Sequence, residues 1–233
     1  MSLAQRDAAL PQSVPAGAAV ARILPFAVFI GLMALEQVVK SLAPALDLRW
    51  MYALRIGAAL LALAAFARAY VELTDFVAVT ARAWAQGALA GGAVFAAWIA
   101  LDQSWAGGGG DGFDATAGDG SIDWALVTLR LFGAVAVVPL MEELFWRSFI
   151  LRWIARRDFL NQAPAAVGLR ALLVSSLLFG VEHELWLAGI VAGLAYGWLY
   201  MRAGSLWVVV AAHATTNLLL GIWVLATGNW RLW

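Results

Sequence analysis

The chain has no cysteine among its 233 residues. That excludes disulfides, a thiol nucleophile and thiolate metal sites. Charge is scarce: 13% of residues are Asp, Glu, Lys or Arg, against roughly 25% in a soluble domain. Lys40 is the one lysine among 15 basic residues, and histidine occurs only at 183 and 213. The formal net charge is zero, and no basic patch marks a nucleic-acid surface, so no nucleic-acid partner is expected.

What fills the space is apolar. Hydrophobic residues make up 64% of the chain, with 13 Trp and 22 Gly. So few charges cannot cover the surface of a water-soluble fold. Lipid must be the solvent for much of it, which predicts an all-α, polytopic bundle of transmembrane helices in the bilayer. The first 20 residues lack a charged start followed by an apolar core, and Pro11, Pro15 and Gly17 interrupt them. They read as a tail, residues 1–22, not a secretory signal.

A spanning helix needs about 20 mostly apolar residues. Candidate spans run over 23–42, 51–69, 84–101, 122–139, 171–182, 185–201 and 206–227. That makes seven spans, or eight if the charged, amphipathic stretch 141–155 crosses on its own after a kink at Pro139. Glu36 and Lys40 lie one turn apart and are spaced to pair. The organisation is a single membrane domain. Residues 23–121 hold N-terminal helices and a Gly/Asp-rich loop, and 122–233 hold the core with the candidate chemistry. The 102–123 loop carries five Asp and no Lys or Arg, so it should face outward. The 152–170 loop, with Arg152, Arg156, Arg157 and Arg170, should face the cytoplasm. Gly189, Gly193 and Gly197 form a small-residue stripe suited to close helix packing.

Ionisable residues inside apolar spans are costly and are functional candidates by default. In Glu142-Glu143-Leu144-Phe145-Trp146-Arg147, Glu143 and Arg147 are four apart and can pair. Glu142 is turned about 100° away. A carboxylate in an apolar setting with no cation at helical spacing suits a general base; the other reading is a charged turn at the interface. His183 ends an apolar run and reads either as an interfacial histidine or as a site residue. His213 and Asn217 share a face of the last span, where helix–helix hydrogen bonding is the competing role. Both histidines, the paired acids and the asparagine fall on three successive helical regions. Together such groups can activate a water and hold an oxyanion. No serine sits in a Gly-x-Ser-x-Gly setting. Gly108-Gly109-Gly110-Asp111 resembles an aspartyl-protease Gly-x-Gly-Asp, but it lies in a polar loop. His183-Glu184 lacks the second histidine of a zincin, since Leu187 stands there.

These three motifs in this order resemble the CAAX prenyl endopeptidase and bacteriocin-processing (CPBP, Abi) family of intramembrane proteases. Glu142, Glu143 and Arg147 match Glu-Glu-x-x-x-Arg; Phe179 and His183 match Phe-x-x-x-His; His213 and Asn217 match His-x-x-x-Asn. The resemblance covers about residues 122–227. It implies an endopeptidase cutting a membrane-associated protein. Glu142 and His183 would activate water, His213 and Asn217 would hold the oxyanion, and Glu143, Arg147 and Phe179 would support the site. It leaves open a metal-free glutamate mechanism or one divalent metal such as zinc, for which Glu142, His183 and His213 could be ligands. The closing 228–233 segment and the acidic loop are more distantly similar to a bacterial branch associated with exosortase sorting. That branch implies a bacterial inner-membrane protein acting on membrane-anchored substrates. A non-catalytic immunity or scaffold protein of the same fold is the competing class. A transporter would call for inverted repeats, and none is visible.

Overall fold

The computed structural model describes residues 17–106 and 112–233. The tail through residue 16 and the Gly108–Asp111 motif lie outside the described residues.

The first helix, α1 (Ala18–Leu42), starts five residues earlier than the sequence pattern suggests. The reason is Arg22, which has no exposed surface. It pairs with Glu72 and donates to the Ala18 and Ala69 carbonyls, so the turn that carries it is anchored. Next come α2 (Met51–Ala65) and α3 (Ala81–Ala100), the latter capped by the Thr80 hydroxyl accepting from the Ala83 N–H. Between α1 and α2, Arg49 bonds Asp47 and the Thr116 carbonyl. The guanidinium holds the exposed Asp47 carboxyl down at about 2.

The fourth span and the stretch 141–155, whose separate crossing the sequence left open, form one rod, α4 (Trp124–Ala155), 32 residues long. Asp123 caps its start by accepting from the Ala125 and Leu126 N–H groups. Pro139 does not break it. The rod widens to a π register over Gly133–Val137, and again over Leu144–Leu151. A π turn absorbs the donor that proline lacks without a sharp bend.

The chain continues through α5 (Leu169–Glu182), α6 (Trp186–Ala203) and α7 (Leu206–Thr227). Gly204 and Gly228, at φ 72° and 68°, close the last two helices in the left-handed conformation. The described residues form no strand, only an isolated bridge between Thr116 and Ile122. Four helices, α1, α3, α4 and α7, are long and apolar enough to cross a membrane. By that measure α2 and α5 are short, at 15 and 14 residues.

The glycine stripe does what its spacing suggests. A Cβ on Gly193 would lie 2.9 Å from Ser176 Cα, and one on Gly189 would lie 2.9 Å from Gly180 Cα. Helices α5 and α6 therefore touch backbone to backbone. The bundle buries Arg22, Glu142, Glu143, Arg147 and His213 while Leu61, Leu89 and Val181 stand at least 75% exposed. Polar groups inside and leucines outside is the inversion that a lipid solvent favours.

Candidate active site

The site is built on α4, the α5–α6 connection and α7. On α4, Glu142 and Glu143 are both buried but face different partners. Glu143 has no exposed surface and holds two groups at once. Arg147 Nη1 donates to its Oε1 at 3.2 Å, and Arg147 Nε lies 3.1 Å from Oε2. The same Oε1 accepts from His213 Nδ1 on α7 at 2.8 Å. The i,i+4 pair expected from the sequence is present, and it extends across the bundle to the second histidine. With Nδ1 committed to Glu143, His213 has Nε2 left for another partner. Its ring stacks on Tyr196, centroids 5.2 Å apart, and the Tyr196 hydroxyl donates to Thr216 at 2.6 Å.

His183 lies just after α5. Its Nδ1 donates to the Phe179 carbonyl at 2.7 Å. This leaves Nε2 with a lone pair for a proton or for hydrogen bonding to water. Phe179 is the common wall: Arg147 lies 4.4 Å over its ring, His183 is 4.5 Å from it, and His213 is 6.4 Å from it.

Asn217 is anchored by the π turn. In that register the Ala134 carbonyl would be taken by the N–H of residue 139, which is proline. Asn217 Nδ2 supplies the missing donor at 2.8 Å. Its second amide hydrogen is left for another acceptor.

Glu142, His183 and Asn217 line one cavity of about 810 Å³. His213 is not among its lining residues; it stands behind, against Glu143 and Tyr196. Glu142 Oε2 is enclosed with no hydrogen-bond partner, so it is available to a bound water. The sequence reading did not assign three further wall residues. Glu182 accepts from Trp146 Nε1 at 3.0 Å, Trp98 of α3 lies edge-on to His183 at 5.5 Å, and Arg130 lines the far end. Glu182 adjoins His183 in sequence, and that adjacency is its one local signal. Trp98 and Arg130 carry no local signal. Glu36, read as a partner of Lys40, pairs with Arg55 of α2 at 3.2 Å, because α1 and α2 pack side by side.

Among the described residues, no group of three or more His, Asp or Glu is placed to hold a metal ion. His213 has its Nδ1 on Glu143 and stands off the cavity wall. The residues present therefore do not fit a three-ligand site in this arrangement.

The described helices and their exposed apolar faces make this an integral membrane protein. No curated protein and no solved structure matches the chain. A family model does match, over residues 124–219: Type II CAAX prenyl endopeptidase Rce1-like. That stretch contains Glu142, Glu143, Arg147, Phe179, His183, His213 and Asn217, and over it the chain is similar to the family that the three motifs resemble.

Proposed function

We propose that the protein is an intramembrane endopeptidase that hydrolyses a peptide bond of a membrane-anchored protein. The observation that carries this reading is the meeting of Glu142, His183 and Asn217, from three separate segments, on one cavity inside an Rce1-like region. A water in that cavity gives its proton to the unpartnered Glu142 Oε2 while hydrogen-bonding to His183 Nε2. The oxygen adds to the scissile carbonyl carbon. The free amide hydrogen of Asn217 stabilises the oxyanion, and His213 stands behind the cavity wall. The C–N bond then breaks, and Glu142 passes its proton to the departing amine. Arg147 pairs with Glu143, and Glu143 fixes His213; neither touches the peptide. The mechanism uses groups of this chain alone.

The substrate reaches the cavity laterally from lipid, and the host membrane is a bacterial inner membrane, with an exosortase-type sorting system as the associated pathway. Co-expression of the full chain with candidate C-terminally anchored proteins tests the reading by intact-mass analysis. A new fragment with the wild type and none with Asn217→Ala supports it. An unchanged substrate across the anchored set contradicts it. Adding a zinc chelator to the purified enzyme should leave the rate within about twofold, since a metal-free general base loses nothing to chelation.

A further inference from the structure

Helix α3 lies outside the matched residues 124–219, yet it supplies a wall of the reaction cavity. Gly87, Gly91 and Val94 are its buried residues, and Trp98 continues that stripe at helical spacing. The stripe faces α7. A Cβ on Gly87 would lie 2.6 Å from the Val208 carbonyl oxygen, and one on Gly91 would run onto the Ala212 carbonyl. The two helices therefore touch backbone to backbone and advance in the same direction. That register carries Trp98, two turns past Gly91, to the level of Leu219, within one turn of Asn217. Trp98 and Asn217 line the same cavity. On its other flank Trp98 meets His183, with ring centroids 5.5 Å apart and planes at 76°, a contact distance for perpendicular rings. His183 is packed from behind as well, since a Cβ on Gly189 of α6 would lie 3.2 Å from His183 Cβ. Trp98 thus stands beside both groups that the proposed reaction uses, one for the water and one for the oxyanion.

We propose that Trp98 is a specificity-determining wall that admits only a small side chain, as in glycine, alanine or serine, on the acyl side of the bond that is cut. This deepens and rests on the endopeptidase reading. The attacked carbonyl carbon comes within about 3–3.5 Å of the water that His183 orients. In the tetrahedral intermediate the new oxygen enters from the side of His183, and the oxyanion turns to Asn217. The nitrogen turns to Glu142 of α4, from which it takes its proton. The acyl-side Cα is the fourth substituent, and it points away from α4, to the side where Trp98 stands. The side chain begins one bond further on. Its bulk meets an indole whose helix is fixed by backbone contact and whose ring rests against His183.

The test uses the full chain in detergent and two peptide aldehydes, N-dodecanoyl-glycyl-alaninal and N-dodecanoyl-glycyl-phenylalaninal. Water adds to the aldehyde carbon to give a gem-diol, a mimic of the tetrahedral intermediate. Affinity is read by titrated thermal stabilisation. In the wild type the alaninal probe should bind at least about 10-fold tighter than the phenylalaninal probe, since even one methylene in an apolar pocket is worth roughly 10–200-fold. Trp98→Ala should cut that ratio at least about 10-fold. Leu89→Ala, at a position of α3 that is 75% exposed, should keep it. If Trp98→Ala does not fold, Trp98→Phe should still lower the ratio at least about threefold, because the smaller ring frees part of the space. Equal affinity for the two probes, a ratio that survives both substitutions, or no binding of either probe overturns the proposal. Binding needs no turnover. A Trp98-dependent ratio without cleavage of any anchored substrate would leave the wall standing and sink the endopeptidase reading; cleavage with a ratio indifferent to Trp98 would do the reverse.

Discussion

At the residue scale, Glu143 ties three helical turns together. It is fully buried, is bonded to Arg147 within its own helix and is bonded to His213 seventy residues away. Removing its charge leaves Arg147 without its counter-ion, and a glutamine offers one accepting oxygen where the carboxylate offers two. Breaking a buried pair this way costs roughly 3–5 kcal/mol. Glu143→Gln should therefore lower the melting temperature in detergent and also lower the cleavage rate. Arg147→Met should be milder on activity, because the His213 hydrogen bond still holds Glu143. The double substitution should destabilise less than the sum of the singles, since no orphan cation remains. A melting series over the four proteins checks this, and strictly additive losses would contradict it. The Glu143–Arg147 link was legible in the sequence from helical spacing alone. The His213 link was not: no pattern within one helix reports a contact between two helices. Arg130 and Trp98 were hidden for the same reason.

At the element scale, α4 explains both what the hydropathy pattern conveyed and what it missed. A proline and a run of charges look like the end of one span and the start of another. The chain instead stays helical by passing into a π register at Gly133–Val137. Apolar periodicity cannot foretell that choice, because it depends on Asn217 supplying the donor that Pro139 lacks. Pro139→Ala would give Ala134 a main-chain donor that competes with Asn217. The melting temperature should hold or rise, while turnover should fall several-fold as Asn217 loses its anchor; a variant with the wild-type rate would separate Asn217 from catalysis. The glycine stripe, by contrast, was fully legible, since period-four glycines have one packing use. Gly193→Val would press its Cβ onto Ser176 Cα. Overpacking of this kind typically costs about 1–3 kcal/mol, read as a lowered melting temperature. Gly92, with open space around its Cα, is the matched control: Gly92→Ala should leave the melting temperature unchanged or raise it.

At the scale of the whole molecule, composition alone was enough to place the chain in lipid and to make it helical. The number of crossings was not, because α2 and α5 are shorter than a bilayer core and only packing decides where such helices sit. Helix α4 spans about 48 Å from end to end at 1.5 Å per residue, more than the roughly 30 Å hydrocarbon core. Its two ends carry the acidic loop and the arginine-rich loop, so these loops belong on opposite sides of the membrane. Reporter fusions at Gly118 and Asn161 should report opposite compartments, with Gly118 outside; the same compartment for both would refute the crossing of α4. The chemistry likewise depends on the whole bundle, since Glu142, His183 and Asn217 meet only when α4, α5 and α7 are assembled. The proposed mechanism centres on Glu142, the buried carboxylate with an oxygen left over. The most direct measurement is the cleavage rate of Glu142→Gln on a membrane-anchored substrate, with folding verified by an unchanged melting temperature. The account predicts a rate at least about 100-fold below wild type, the lower end of what a general base contributes. A folded Glu142→Gln that cleaves at the wild-type rate would contradict it.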